Sequence, residues 1–219
     1  MDTGDELRTL YRGRFGREER ARVELWQILC SSFFQRWVPR DATVLDVAAG
    51  GCEFINSIEA ADRIAIDLNP AVVDAAGRDV TAIVCSADAV PREDASVDVV
   101  FISNFFEHIE RSTILSVLTE VRRLLRPNGR LLVLQPNIRF CAKDYWMFFD
   151  HITPVDDRAL AEAFALTGFE VEHQVTRFLP YTTKSRLPQA SWTIKAYLAM
   201  PLAWRVLGQQ SFIVAVPAR

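Results

Sequence analysis

Apolar residues along this chain come in short continuous runs rather than alternating with polar ones, at 43–47, 63–67, 80–85, 97–102 and 130–135. Runs of that length, bounded by glycine, proline and charged turns, read as strands buried on both faces, which is the pattern of a parallel sheet. Between them the apolar positions switch to the helical period. The clearest case is Ser112–Leu125, with Ile114, Leu115, Val117, Leu118, Val121, Leu124 and Leu125 on one stripe and Arg126-Pro127-Asn128-Gly129 as its stop. A helix is also predicted from Pro70, with Asn69 as its N-cap, and another over Asp156–Thr167, closed by Gly168. Phe169–Phe178 and Ser211–Val216 read as further strands, with two short helices, Trp192–Met200 and Pro201–Leu207, between them. Strand and helix in alternation predict an α/β fold with helices on both faces of the sheet.

Composition narrows this picture. At 219 residues, half of them hydrophobic, the chain is long enough to bury a two-sided core as one domain, and no repeat or linker divides it. The net charge of −3 argues against a broad nucleic-acid surface. Cys30, Cys52, Cys85 and Cys141 form no C-x-x-C pair and read as free thiols of a reducing cytoplasm. With only three histidines and none at ligand spacing from a cysteine, no metal site is expected. The charged start (Met1-Asp2-Thr3-Gly4-Asp5-Glu6) carries no secretory signal and no run of apolar residues is long enough to span a bilayer, so a soluble cytoplasmic protein is expected.

Candidate chemistry concentrates first in Val44–Phe54 and Ile64–Pro70. These read as strand, glycine turn, helix and a second strand ending in a carboxylate, with Asp67 standing 21 residues after Asp46, as in a nucleoside-binding βαβ unit. A carboxylate so placed accepts both ribose hydroxyls. A dinucleotide would set its pyrophosphate on the helix N-terminus, where Asp46 and Glu53 oppose it, and this counts against an NAD-dependent oxidoreductase. S-adenosylmethionine (SAM) carries a sulfonium and an ammonium instead, which an acidic turn suits, and Gly50 and Gly51 let backbone approach the ligand. The same glycines would also serve an ordinary tight turn of some other α/β protein.

The later segments favour the cofactor. Ala87-Asp88 follows the third strand; Pro91–Asn104 leads into Glu107-His108; and Leu124–Asn137 reads LLRPNGRLLVLQPN. In this order and spacing they resemble the class I SAM-dependent methyltransferases. The chain departs from the family's acidic-x-Gly-x-Gly-x-Gly turn, since Ala48 and Cys52 stand at two of the three glycine positions and only Gly50 matches. The resemblance implies a Rossmann-like sheet of seven mostly parallel strands, the last one antiparallel and at the edge. It also implies a SAM site of Asp46, Ala48 and Gly50 at the turn, Asp67 and Leu68 at the ribose, Ala87 and Asp88 at the adenine, and Asn104 after strand four. In related enzymes an N-terminal segment, here within residues 1–40, caps the methionine end; Arg14 is the candidate for its carboxylate, with Arg12 or neither arginine as the alternatives. The QPNIR, FFDH and RFLPYTTKSRLPQ segments resemble a bacterial subgroup that accompanies polysaccharide and glycan assembly.

Acceptor chemistry is sought in two stretches. Residues 179–209 exceed what a minimal connection needs and are expected to form a substrate lid, in which Lys184 and Arg186 suit a phosphate, diphosphate or carboxylate. Its helices either pack on the sheet or rest on a membrane surface through Trp192, Tyr197, Trp204, Lys195 and Arg205. The loop Gln135–Pro154 carries Tyr145, Trp146, Phe148 and Phe149, which either stack on a flat acceptor or cover the core, followed by Asp150-His151, an acid/base dyad. His151 is the leading base, His108 the other candidate, and His173 is structural. The expected function is methyl transfer from SAM to a small-molecule or glycan acceptor, a sugar hydroxyl first; the competing reading is a non-catalytic SAM-binding partner.

Overall fold

The computed structural model describes residues 19–181 and 191–218. In chain order the first elements are α1 (Glu19–Ser32), a 3-10 turn (Phe34–Trp37), β1 (Thr43–Val47), α2 (Glu53–Ser57), β2 (Asp62–Asp67), α3 (Val72–Ala75) and β3 (Thr81–Val84). Next come β4 (Val97–Ser103), a 3-10 turn (Phe106–His108), α4 (Arg111–Leu124), β5 (Leu125–Pro136), α5 (Ile138–Tyr145) and α6 (Asp157–Leu166). The chain closes with β6 (Phe169–Val175), α7 (Ser191–Leu198), α8 (Pro201–Leu207) and β7 (Gln210–Pro217). The strands form one seven-stranded sheet in the order β3-β2-β1-β4-β5-β7-β6. The described residues fall into two compact units, one of 19–87 with 191–199 and the other of 88–181 with 200–218.

In the first unit β1, β2 and β3 are parallel, with Leu45 opposite Ile64 and Ala65 opposite Ala82. Val44, Leu45, Ile64, Ala65 and Ile66 are fully buried, as continuous apolar runs require. Helix α1 buries Ile28, Leu29 and Cys30, and an aromatic cluster forms where Phe34 meets Phe54 edge to face at 5.9 Å. The β3 strand is shorter than expected, since half of it is exposed. The helix expected from Pro70 starts later, at Val72, and the Asn69 side chain accepts from the Ala71 N–H at 3.1 Å, holding the turn before it.

In the second unit β4 and β5 are parallel, while β7 is antiparallel to both β5 and β6. This corrects one expectation: the last strand is antiparallel but lies inside the sheet, and β6 is the edge. The burial explains why. Residues 211–215 of β7 are buried throughout, whereas β6 reads Glu170-Val171-Glu172-His173-Gln174 and is largely exposed. The Arg126–Gly129 stop is taken up as an irregularity of β5, where pairing jumps from Val97↔Leu125 to Val99↔Arg130. Gly129 is required there, because a Cβ would come within 3.0 Å of the Asp98 carbonyl. No helix among the described residues is long and apolar enough to cross a membrane.

Candidate functional site

The glycine turn of the first unit follows β1 directly. Ala48, Gly50 and Cys52 have φ of 54°, 52° and 58°, so all three alternate positions of the motif take the left-handed conformation although only one is glycine. The substitutions therefore keep the motif's backbone and carry its strain. The Gly50 N–H donates to Asp67 Oδ2 at 2.9 Å and the Asn69 N–H to Oδ1 at 2.8 Å, which fixes the carboxylate facing the turn. Each oxygen keeps a second lone pair, enough for two ribose hydroxyls. A Cβ built on Gly50 meets nothing within 4 Å, so the turn opens onto free space.

Charge at this turn is one-sided. Asp46 is 3% exposed; burial, then Glu53 and Asp67, push its carboxyl well above the usual range, against the pull of the Ile55 N–H. Arg22 of α1 offsets part of this by pairing with Glu53 at 2.6 Å. Such a cluster suits a sulfonium and an ammonium and repels a pyrophosphate, so the residues present fit SAM. Leu68 is exposed beside Asp67, and Ala87 is buried at the end of the unit. Cys52, fully buried, has its thiol pushed up to about 12 by burial and by Asp46, which makes it inert at neutral pH.

The other expected cofactor residues lie in the second unit or beyond the described residues. Asp88 is exposed, and so is Asn104, whose φ of 47° turns the chain after β4 while its N–H holds the Leu134 carbonyl at 2.9 Å. Arg12, Arg14, Lys184 and Arg186 lie outside the described residues.

A second group of titratable side chains gathers after β4. Glu107 and His108 sit in the 3-10 turn, and the loop after α5 brings in Asp150 and His151. Backbone holds the two pieces together: Ile152 and Thr153 N–H groups donate to the Glu107 carbonyl at 2.9 and 3.2 Å, and the Thr153 hydroxyl donates to the Ile109 carbonyl. The loop is anchored at its base by buried Asp157, which accepts from Asn137 Nδ2 and from Gln174 Nε2, both at 2.8 Å. His108 and His151 meet edge to face with centroids 4.8 Å apart. Asp150, expected in a dyad with its sequence neighbour His151, pairs with His108, its Oδ2 3.3 Å from Nδ1. His151 is 7% exposed, stacked on Phe148 at 5.1 Å, with Nε2 3.5 Å from the Tyr181 hydroxyl.

Sequence reasoning passed over Glu107 as an active group. It is 1% exposed, accepts from the Gln135 amide at 2.7 Å, and places Oε1 3.8 Å from His108 Nε2. Burial pushes its carboxyl up, with His108 and Gln135 pulling it back. The Glu-His dipeptide was the only signal. Tyr145, expected at the acceptor, is instead a core residue: fully buried, it donates to the Thr153 carbonyl at 2.6 Å and accepts from the Val155 N–H at 3.1 Å. Its ring and hydroxyl set the shape of the loop. Trp146, Met147, Phe149 and Ile152 are the loop's exposed apolar side chains, Phe149 at 94%. His173 stands on exposed β6.

Comparison with known proteins follows the same lines. A family model described as a methyltransferase domain matches residues 45–133. An uncharacterized methyltransferase of Mycobacterium bovis is 27% identical over 184 residues, which cover 80% of this chain and 67% of that protein. The complex between the Haloferax volcanii Trm112 methyltransferase activator and a methyltransferase has a similar fold, with TM-score 0.70 at 20% identity over 100% of this chain and 99% of that chain. A SAM-dependent methyltransferase from Archaeoglobus fulgidus gives TM-score 0.64 at 19% identity over 91% and 97% of the two chains.

Proposed function

We propose that this chain is a class I SAM-dependent methyltransferase, as the match of residues 45–133 to a methyltransferase-domain model supports, and that it transfers methyl groups to a hydroxyl of a small-molecule or sugar-linked acceptor. The observation that carries the acceptor class is the His108–His151 pair, His151 buried and His108 half-buried, with Asp150 on its flank. An amine acceptor can arrive unprotonated, but a hydroxyl must lose its proton as it is methylated, and a paired imidazole is the group for that.

SAM supplies an electrophilic methyl on a sulfonium, whose thioether leaves without an acid. Asp67 accepts the ribose hydroxyls, Gly50 gives backbone access, and Asp46 with Glu53 favours the positive end. Leu68, Ala87 and Asp88 serve the adenine and ribose faces, Asn104 the strand-four side, and Arg14 or Arg12 the methionine carboxylate. His151 takes the acceptor proton, and the carboxylate of Asp150 holds His108 beside it. Trp146 and Phe149, exposed on the same loop, offer flat faces to a sugar ring. Lys184 and Arg186, within a lid of residues 179–209, read an anionic group such as a diphosphate linkage. The segment QPNIR and its companions support glycan assembly as the setting.

The test is transfer of labelled methyl from SAM to a panel of nucleotide-linked sugars, lipid-linked sugars and amines, by the wild-type chain and by His151→Ala. A labelled sugar hydroxyl with the wild type and none with the variant is expected. Labelling of amines alone, or equal labelling by both proteins, would overturn the reading.

A further inference from the structure

We propose that Glu107, His108 and His151 form a binding site for a divalent first-row transition ion. One ligand atom from each of the three lies within 4.8 Å of the others, with Glu107 Oε1 3.8 Å from His108 Nε2. Around an ion bound at about 2.0–2.2 Å, neighbouring donors stand about 3–3.5 Å apart, so a closure of about 1 Å completes the site. The two rings meet edge to face at 82° rather than stacking.

What distinguishes this cluster from a chance meeting of polar side chains is the layer behind it. Ligating imidazoles hold their second nitrogen against a carboxylate or carbonyl, and ligating carboxylates are themselves hydrogen-bonded. His108 Nδ1 has both kinds of partner, Asp150 Oδ2 at 3.3 Å and the Asp150 carbonyl at 3.2 Å, which places the proton on Nδ1 and the lone pair on Nε2. The Gln135 amide donates to Glu107 Oε2 at 2.7 Å and leaves Oε1 on the His108 side. The Tyr181 hydroxyl stands 3.5 Å from His151 Nε2. Backbone bonds from Ile152 and Thr153 to the Glu107 carbonyl clamp the two ligand-bearing segments together.

A second, independent observation points to a cation. The Glu107 carboxylate is 1% exposed, and the groups hydrogen-bonded to it, the Gln135 amide and its own backbone N–H, are neutral, with a histidine ring 3.8 Å away. A carboxylate taken out of water that far is costly unless a positive charge meets it. Two imidazoles and one carboxylate form a borderline donor set, suited to Zn²⁺, Co²⁺, Fe²⁺ or Ni²⁺; Mg²⁺ and Ca²⁺ prefer oxygen alone.

This inference goes beyond the proposed transfer reaction and does not rest on it. The two are linked through the same atoms, because an ion takes the nitrogen lone pairs that an acceptor proton would use. In the ion-loaded chain the ligating nitrogens are accordingly not the base.

The test is titration of the tag-free full chain with Co²⁺, read by its visible ligand-field bands, and with Zn²⁺ in competition against a chelating dye. One saturable equivalent is expected. Affinity should fall at least about tenfold in Glu107→Gln, His108→Ala and His151→Ala, fall about 10- to 100-fold in the outer variant Asp150→Asn, and stay unchanged in His173→Ala. S-adenosylhomocysteine (SAH) titration of the same preparations shows that each variant is folded and reads the cofactor assignment separately. Absence of a saturable Co²⁺ spectrum in the wild type, or an undiminished one in folded Glu107→Gln and His151→Ala, overturns the site while leaving the methyltransferase reading untouched.

Discussion

Asp150 Oδ2 lies 3.3 Å from His108 Nδ1, so the carboxylate that the chain writes next to His151 serves the other histidine of the cluster. The acid/base group is therefore assembled across a turn and a loop, and its members can be separated by mutation. His151→Ala should lower turnover by about 100- to 10,000-fold with SAH affinity unchanged, as loss of a general base does. Asp150→Asn should cost less, since it touches only the orientation of His108. If Asp150→Asn proved the more damaging variant in steady-state assays, His108 would be the base.

Asp67 reaches the Gly50 and Asn69 N–H groups at 2.9 and 2.8 Å and has lone pairs left for a ribose. Removing a charged hydrogen-bonding partner costs about 1.5–3 kcal/mol per bond. Asp67→Ala should weaken SAM and SAH binding by at least about tenfold on that basis, with Asp67→Asn in between. Calorimetry decides it, and unaltered binding would withdraw Asp67 from the cofactor site.

Left-handed backbone at Ala48 and Cys52 gives a stability prediction that differs between the two positions. A non-glycine residue there carries a strain of about 1–2 kcal/mol, part of which glycine's larger unfolded entropy returns. Ala48→Gly should therefore stabilise the chain by about 1 kcal/mol. Cys52→Gly should not, because Cys52 is fully buried and its thiol faces the Val72 carbonyl at 3.8 Å, so a void cancels the relief. Urea unfolding of both variants would separate strain from packing.

The raised carboxyl of Asp46 sets a pH dependence. A group whose folded value lies above its unfolded value contributes stability that is fully present below the unfolded value and is lost as pH rises through the folded one. At neutral pH, far above the unfolded value, burying Asp46 accordingly works against the cofactor-free fold. Asp46→Asn should melt higher than the wild type at pH 7, with the gap closing on acidification. Thermal melts from pH 4 to 8 check this, and a gap that widened toward acid would reverse the sign.

Much of the fold could be read from the chain, because burial on both faces writes itself as continuous apolar runs such as Val97–Ile102. Helix α4 was legible from its stripe and its stop. The place of β7 was also encoded, in the contrast between its apolar run and the charged positions of β6, but a strand's burial says nothing of direction or neighbours until both are compared. At Ala48 and Cys52 the backbone could not be read from the chain, because residue type reports what a backbone prefers, and here the surrounding turn imposes φ near 55° on residues that resist it. Tyr145 misled in the opposite way: an aromatic loop looks the same in sequence whether it faces an acceptor or its own core. Glu107 escaped because the Glu-His dipeptide alone does not announce a buried carboxylate; its partner Gln135 comes from a distant part of the chain.

The interior position of β7 governs how the protein can be made. On the ribosome, β5 and β6 are complete well before residues 210–217 exist, yet β7 is the strand that pairs with both. Until it emerges, β6 has no pairing partner in the sheet and β5 shows one bare edge, a template for association with other nascent chains. The second unit closes its sheet only when β7 enters between the two, so its folding waits on translation of residues 210–217 and depends on holding those edges apart in the meantime.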